Sequence, residues 1–218
     1  MTHPQPEGFL ALPPTGQGRG VLVLHPWWGL NDTIQQFCNR LAGAGFSAFA
    51  PDLYHGQLAV TISEAERLSQ ALDHQQARAD VAAAAAFLSE RAAQADKGLA
   101  VIGFSLGASF AIGLSTTDPG HICAVVVFYG TGEGDFSVSK ASYLGHFADA
   151  DEFEPEIYVN GLEQAIRAAG RPVIFHHYPG TGHWFFEPDR LDAYHPVAAE
   201  LAWDRTLAFL KNSLPLNS

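Results

Sequence analysis

The chain has 218 residues, 47% of them hydrophobic and 16% charged. That is apolar enough for one domain with a sizeable core and too sparsely charged for a disordered chain. A formal net charge of −11 sets it against nucleic acid and anionic membranes as partners. Cys38 and Cys123 sit in apolar or helical stretches, read as buried reduced thiols, and no zinc spacing exists. Met1 to Gly8 has no charged-then-apolar leader pattern, and no run approaches the roughly 18 apolar residues of a bilayer span. A cytoplasmic protein is expected.

In chain order, Pro13-Pro14-Thr15-Gly16-Gln17-Gly18 reads as a hairpin turn. Gly20–Leu24 follows as a buried strand. Asn31 or Asp32 caps a helix to about Ala44, ended by Gly45. Phe46–Ala50 is a short strand, and an alanine-rich helical region runs from about Ser63 to Ala93. Leu99–Ile102 is a strand and Ala108–Ser115 a helix. Ile122–Phe128, the most apolar strand, is expected at the centre, and Ala141–Phe147 is a weaker one. Pro155 fits a first helical position and Gly170 a helix end. Val173–His177 is a strand, and an amphipathic helix over Pro196–Leu210 closes the chain. This alternation predicts an α/β fold, a mostly parallel twisted sheet with helices on both faces, spanning one domain over residues 1–218. Reactive side chains then belong on loops at the carboxyl ends of the strands.

One such loop is Gly103-Phe104-Ser105-Leu106-Gly107. A strand runs into it and a small-residue helix runs out. The glycines permit a sharp turn that lifts the Ser105 hydroxyl clear of the sheet. The turn also leaves N–H groups free at the helix start for an oxyanion. A serine needs a base, and histidine serves near neutral pH. In a fold with serine, acid, histidine order the base follows Ser105. His183, in the glycine-rich loop Tyr178 to Phe185, is the candidate. His176, His177 and His195 read as packed or solvated. The acid comes from the loop after the preceding strand, Ala148 to Glu154. Asp151 and Asp149 both qualify there, and periodicity does not separate them.

Gly103–Gly107, Pro51-Asp52-Leu53-Tyr54, Gly145-His146-Phe147 with Asp151, and Tyr178–Phe185 together resemble the dienelactone hydrolase family. So do His25-Pro26-Trp27-Trp28-Gly29-Leu30-Asn31 and Leu201–Leu210. The likeness runs in order from about Gly20 to Leu210. It implies a compact α/β hydrolase without a cap domain. Carried over, the family's triad falls on Ser105, Asp151 and His183, which decides against Asp149. The implied oxyanion donors are the backbone N–H groups of Leu106 and Trp27.

This chain departs from the family pattern at the nucleophile, where the archetype has cysteine, and at Pro26, where it has a glutamate that helps activate the thiol. A serine served by histidine does not require that glutamate, so the two changes are chemically coherent. After His183 the archetype supplies an arginine for an anionic lactone. Here Trp184-Phe185-Phe186-Glu187 offers a carboxylate instead, so a neutral or apolar ester or lactone is expected. Trp28, Tyr54, Phe104, Tyr129, Phe147 and Trp184, with Trp27, lie at strand ends or in the loops that follow. They suggest an aromatic-lined pocket, although some of them belong to the core. Only Gly130–Lys140 separates two strands where many α/β hydrolases carry a cap, so an open site is expected. The expectation is a serine esterase or lactonase acting through an acyl-enzyme on a small molecule. It needs no cofactor or metal and exists as a monomer or homodimer. A non-catalytic binder of the same fold and a related acyl-transfer enzyme, such as a perhydrolase or thioesterase, are the alternatives. A metal site built from His25, His55 or His146 lacks helical His-Glu-x-x-His spacing.

Overall fold

A computed structural model describes residues 4–93 and 95–214. The first three residues of the stretch read for a leader lie outside these. Seven strands form one sheet: β1 (Gly8–Ala11), β2 (Arg19–Leu24), β3 (Phe46–Pro51), β4 (Leu99–Phe104), β5 (Ile122–Phe128), β6 (Ser142–Ala148) and β7 (Val173–Tyr178). Their order is β1-β3-β2-β4-β5-β6-β7. Among the described residues only the β1–β3 pairing is antiparallel.

The helices are α1 (Asp32–Gly43), α2 (Ile62–Ala71), α3 (His74–Ser89), α4 (Leu106–Thr117), α5 (Glu156–Ala168) and α6 (Pro196–Ser213). They cover both faces, so the inner strands are apolar at most positions while their side chains alternate between two cores. Val21, Val23, Ile102 and Val126 pack with Phe37 of α1 and Trp203 of α6. Leu22, Leu24, Val101 and Val125 pack with Phe87 of α3 and Phe110 of α4.

Most of the expected elements are present, with instructive differences. Pro13–Gly18 is a turn, closed by Gly16 N–H to Pro13 O at 2.8 Å, but not a hairpin. The strand before it, β1, lies antiparallel on β3, and β3 separates it from β2. The helical region breaks at Leu72, whose ψ of 124° is extended. Asp73 then caps α3 by accepting from the N–H groups of Gln75 and Gln76. A cap of this kind ends one helix and begins another however rich in alanine the flanks are. The middle position belongs to β4, with β5 beside it, since all the inner strands share two-sided burial. Pro155 sits one residue earlier than expected, as the N-cap of α5, while Gly170 ends the helix as expected, following the C-cap Ala169 with φ 71°. Residues 129–141 join β5 to β6 without a helix or strand, and no cap domain is inserted there.

Candidate active site

Ser105 stands between the end of β4 and the start of α4 with φ 48° and ψ −112°, a conformation rare for a side-chain-bearing residue. Its own N–H donates to Phe128 O at 2.9 Å, and its carbonyl accepts from Ala108 N–H at 2.9 Å. The turn is tight enough to require glycine. A Cβ on Gly103 would lie 2.4 Å from Gly107 O, and one on Gly107 would lie 2.3 Å from Leu24 O. Among the described residues four non-glycine residues have positive φ, and Ser105, Tyr129 and Trp184 are three of them. Strain held at one place in this way marks functional sites.

The structure brings Ser105, His183 and Asp151 together. Ser105 Oγ is 3.0 Å from His183 Nε2. His183 Nδ1 is 2.8 Å from Asp151 Oδ2 and 2.9 Å from Oδ1. The carboxylate favours the tautomer in which Nδ1–H donates to Asp151, which leaves Nε2 as the acceptor facing Ser105 Oγ. Asp151 is itself held, accepting from Phe153 N–H at 3.0 Å and Glu154 N–H at 2.9 Å. Asp149 instead accepts from Gly180 N–H and does not reach the imidazole. Tyr129, Phe153 and Trp184 surround the His183 ring at centroid distances of 4.9, 5.3 and 5.0 Å. Leu106 opens α4, where first-turn N–H groups have no partner within the helix.

A cleft of about 310 Å³ opens beside the serine, walled by Trp27, Ser69, Leu106, Thr131, Phe153 and Glu154. Of the aromatic residues expected to line it, Trp27 does. Trp28, Tyr54, Phe104, Tyr129, Phe147 and Trp184 are all buried away from it. Phe104 stacks on Phe128 at 4.5 Å, and Phe147 packs on Phe175 at 4.8 Å in the opposite core. Tyr54 packs on the His25 ring, while Trp28 lies under the Arg190 guanidinium, 4.0 Å away. Trp184 stacks on the far side of Trp27 and borders a separate hollow. With both faces covered, a large ring at a strand end gains most by packing into the layer. Trp27 and Phe153, carried on loops, remain at the cleft.

Glu187 needs a similar correction. It does not face the cleft but is fully buried, accepting from Tyr129 O–H at 2.7 Å. Burial pushes its carboxyl up to about 8, and the Tyr129 hydroxyl is likewise raised by burial. The carboxylate of the cleft wall is Glu154, whose pKa burial also raises. Sequence reasoning missed Phe153, Glu154, Thr131 and Ser69. Phe153 and Glu154 had a signal, since they share the turn of Asp151. Thr131 and Ser69 had none. The remaining histidines have other uses. His195 caps α6 by accepting from Ala198 N–H, and His176 stacks on His146. His177 is exposed. His25 accepts from Leu53 N–H, and His146 lies between Tyr178 and Thr206. His55 reaches Glu7 at the surface.

A mostly parallel seven-stranded sheet, covered on both sides, with these groups at its carboxyl end is an α/β-hydrolase-like fold. The sequence matches the dienelactone hydrolase family over residues 7–214, and the chain belongs to that family. It is 33% identical to "Protein usf" of Aquifex pyrophilus over 95% of this chain and 94% of that one. With the "Putative carboxymethylenebutenolidase" of Aquifex aeolicus the identity is 30%, at the same coverages. A solved structure named m3DLH superposes with a TM-score of 0.80 at 25% identity, covering 91% of this chain and 88% of that one.

Proposed function

We propose that the protein is a serine-dependent hydrolase of small carboxylic esters or lactones, with Ser105 in the place of the family's cysteine. Ser105 Oγ attacks the carbonyl carbon while His183 Nε2 takes its proton. Asp151 holds the imidazole and stabilises its charge once it is protonated. The N–H groups of Leu106 and Trp27 receive the oxyanion. His183 returns the proton to the leaving alkoxide, and water then attacks the acyl-enzyme with His183 as base.

The observation that carries this reading is the unbroken chain from Ser105 Oγ through His183 to Asp151, at 3.0 and 2.8 Å. Family membership and the butenolidase name of a relative support the same class of substrate. The modest cleft favours small molecules, and Glu154 in its wall disfavours a carboxylate-bearing one. Among the described residues no helix is long and apolar enough to cross a membrane. We take the protein to work in the cytoplasm as a single domain, monomeric or homodimeric, without a cofactor.

Hydrolysis of p-nitrophenyl acetate by the native chain and by Ser105→Ala tests this. A fluorophosphonate label should map to the peptide bearing Ser105. Equal background rates for both proteins, with no label, would leave a non-catalytic binder.

A further inference from the structure

Among the described residues lining the cleft, Glu154 is the one carboxylate, and no Lys or Arg joins it. Its two oxygens accept from Thr131 N–H at 2.9 Å and Thr131 Oγ–H at 2.8 Å. Each carboxylate oxygen has two lone pairs, so capacity remains on both for a ligand. The titratable groups beside it are Asp151 and His183, and no Lys or Arg acts on it. Facing the same space are Trp27 and Phe153, whose rings meet edge to face at 5.6 Å. A carboxylate with free lone pairs in an aromatic-walled cleft attracts ammonium ions by charge, and any ring face such a cation reaches adds cation–π attraction.

We propose that Glu154, with the rings of Trp27 and Phe153, makes this cleft select small esters or lactones bearing an ammonium group over their neutral and anionic isosteres. This rests on the hydrolase reading above and adds to it the charge of the preferred substrate. Glu154 is a specificity-determining residue here and takes no part in bond making.

The test compares specificity constants for three acetate esters of similar shape: trimethylammonioethyl, neohexyl and carboxypropyl. Native protein and Glu154→Gln are assayed side by side. The cationic ester is expected to exceed the neutral one by about five- to tenfold in native protein, with the anionic ester poorest. In Glu154→Gln the ratios should collapse toward one. A native ratio near one, or a ratio that Glu154→Gln leaves in place, overturns the proposal. So does an equal loss on all three esters, which would make Glu154 a support for the Thr131 loop and nothing more.

A binding experiment separates this from failure of the hydrolase reading. Trimethylammonioethanol and neohexanol are titrated calorimetrically into Ser105→Ala, with and without Glu154→Gln. Glu154-dependent binding of the cation, without turnover of any ester, would sink the hydrolase reading and keep the cation site. Hydrolysis of the esters with no preference in binding or rate would do the reverse.

Discussion

Glu154 and Glu187 are the same residue type on the same side of the molecule, yet their surroundings differ. Glu154 stands in the cleft wall with a Thr131 donor for each oxygen. Glu187 is fully buried behind Tyr129, its one donor, with an Oε2 that has no partner among the described residues. Burial raises both carboxyls, and it pushes the deeper one up to about 8. The same contrast divides the aromatics. Phe153 and Trp27, on loops, border the cleft, while Phe104 and Tyr129, at strand ends, fill the floor. Depth, more than residue type, decides which groups are available to a ligand and which hold the platform.

The sharpest way to break this division is to disable the reactive surface while leaving the floor intact. Ser105→Ala should lower turnover of an activated ester by a thousandfold or more, about as much as removing His183 as well. Asp151→Asn should cost roughly a hundred- to ten-thousandfold through the wrong imidazole tautomer. Neither should shift the urea midpoint much, and a large shift would mean that these residues also belong to the platform.

In the floor the effect should fall on stability instead. Phe104→Ala removes a fully buried ring stacked on Phe128 and met edge-on by Phe37, and should cost about 3–5 kcal/mol in urea unfolding. A loss under 1 kcal/mol would place that ring outside the core.

Glu187→Gln sharpens the comparison between the two carboxylates through pH. The carboxyl has a reference value of 4.5 and is pushed to about 8 in the folded chain, so the fold favours its neutral form. The stability it contributes is full below 4.5 and is lost as pH rises toward 8. The amide has no proton to lose. Relative to the native chain, Glu187→Gln should therefore gain stability across that window, on the order of a few kcal/mol, with a constant difference outside it. Parallel stability–pH curves for the two proteins would show that Glu187 is already ionised in the fold.

The smallest effect is expected at the rim. Phe153 is 40% exposed. Phe153→Ala should change stability by no more than about 1 kcal/mol while raising KM for small esters a few-fold.

Much of the fold was legible because its causes are local. Two-sided burial demands apolar strands, and Leu99–Phe104 and Ile122–Phe128 show it at nearly every position. Asn31, just ahead of a helix-forming run, caps it by accepting from Ile34 N–H, and Gly103 and Gly107 allow one kind of turn about Ser105. Thr61 and Glu64 also carried a capping-box signal, which the alanine-rich stretch beyond them masked. The family likeness extended this legibility to Asp151, which periodicity could not tell from Asp149.

Other features were decided only in three dimensions. The pairing of β1 with β3 depends on an edge formed by residues some forty positions away. The meeting of Thr131 with Glu154 joins two loops, with nothing in either marking the other. A sequence shows that an aromatic or a glutamate lies near a strand end, but not whether the chain above it will cover it. The free energy of burial belongs to the neighbours as much as to the residue, and the neighbours are chosen by packing.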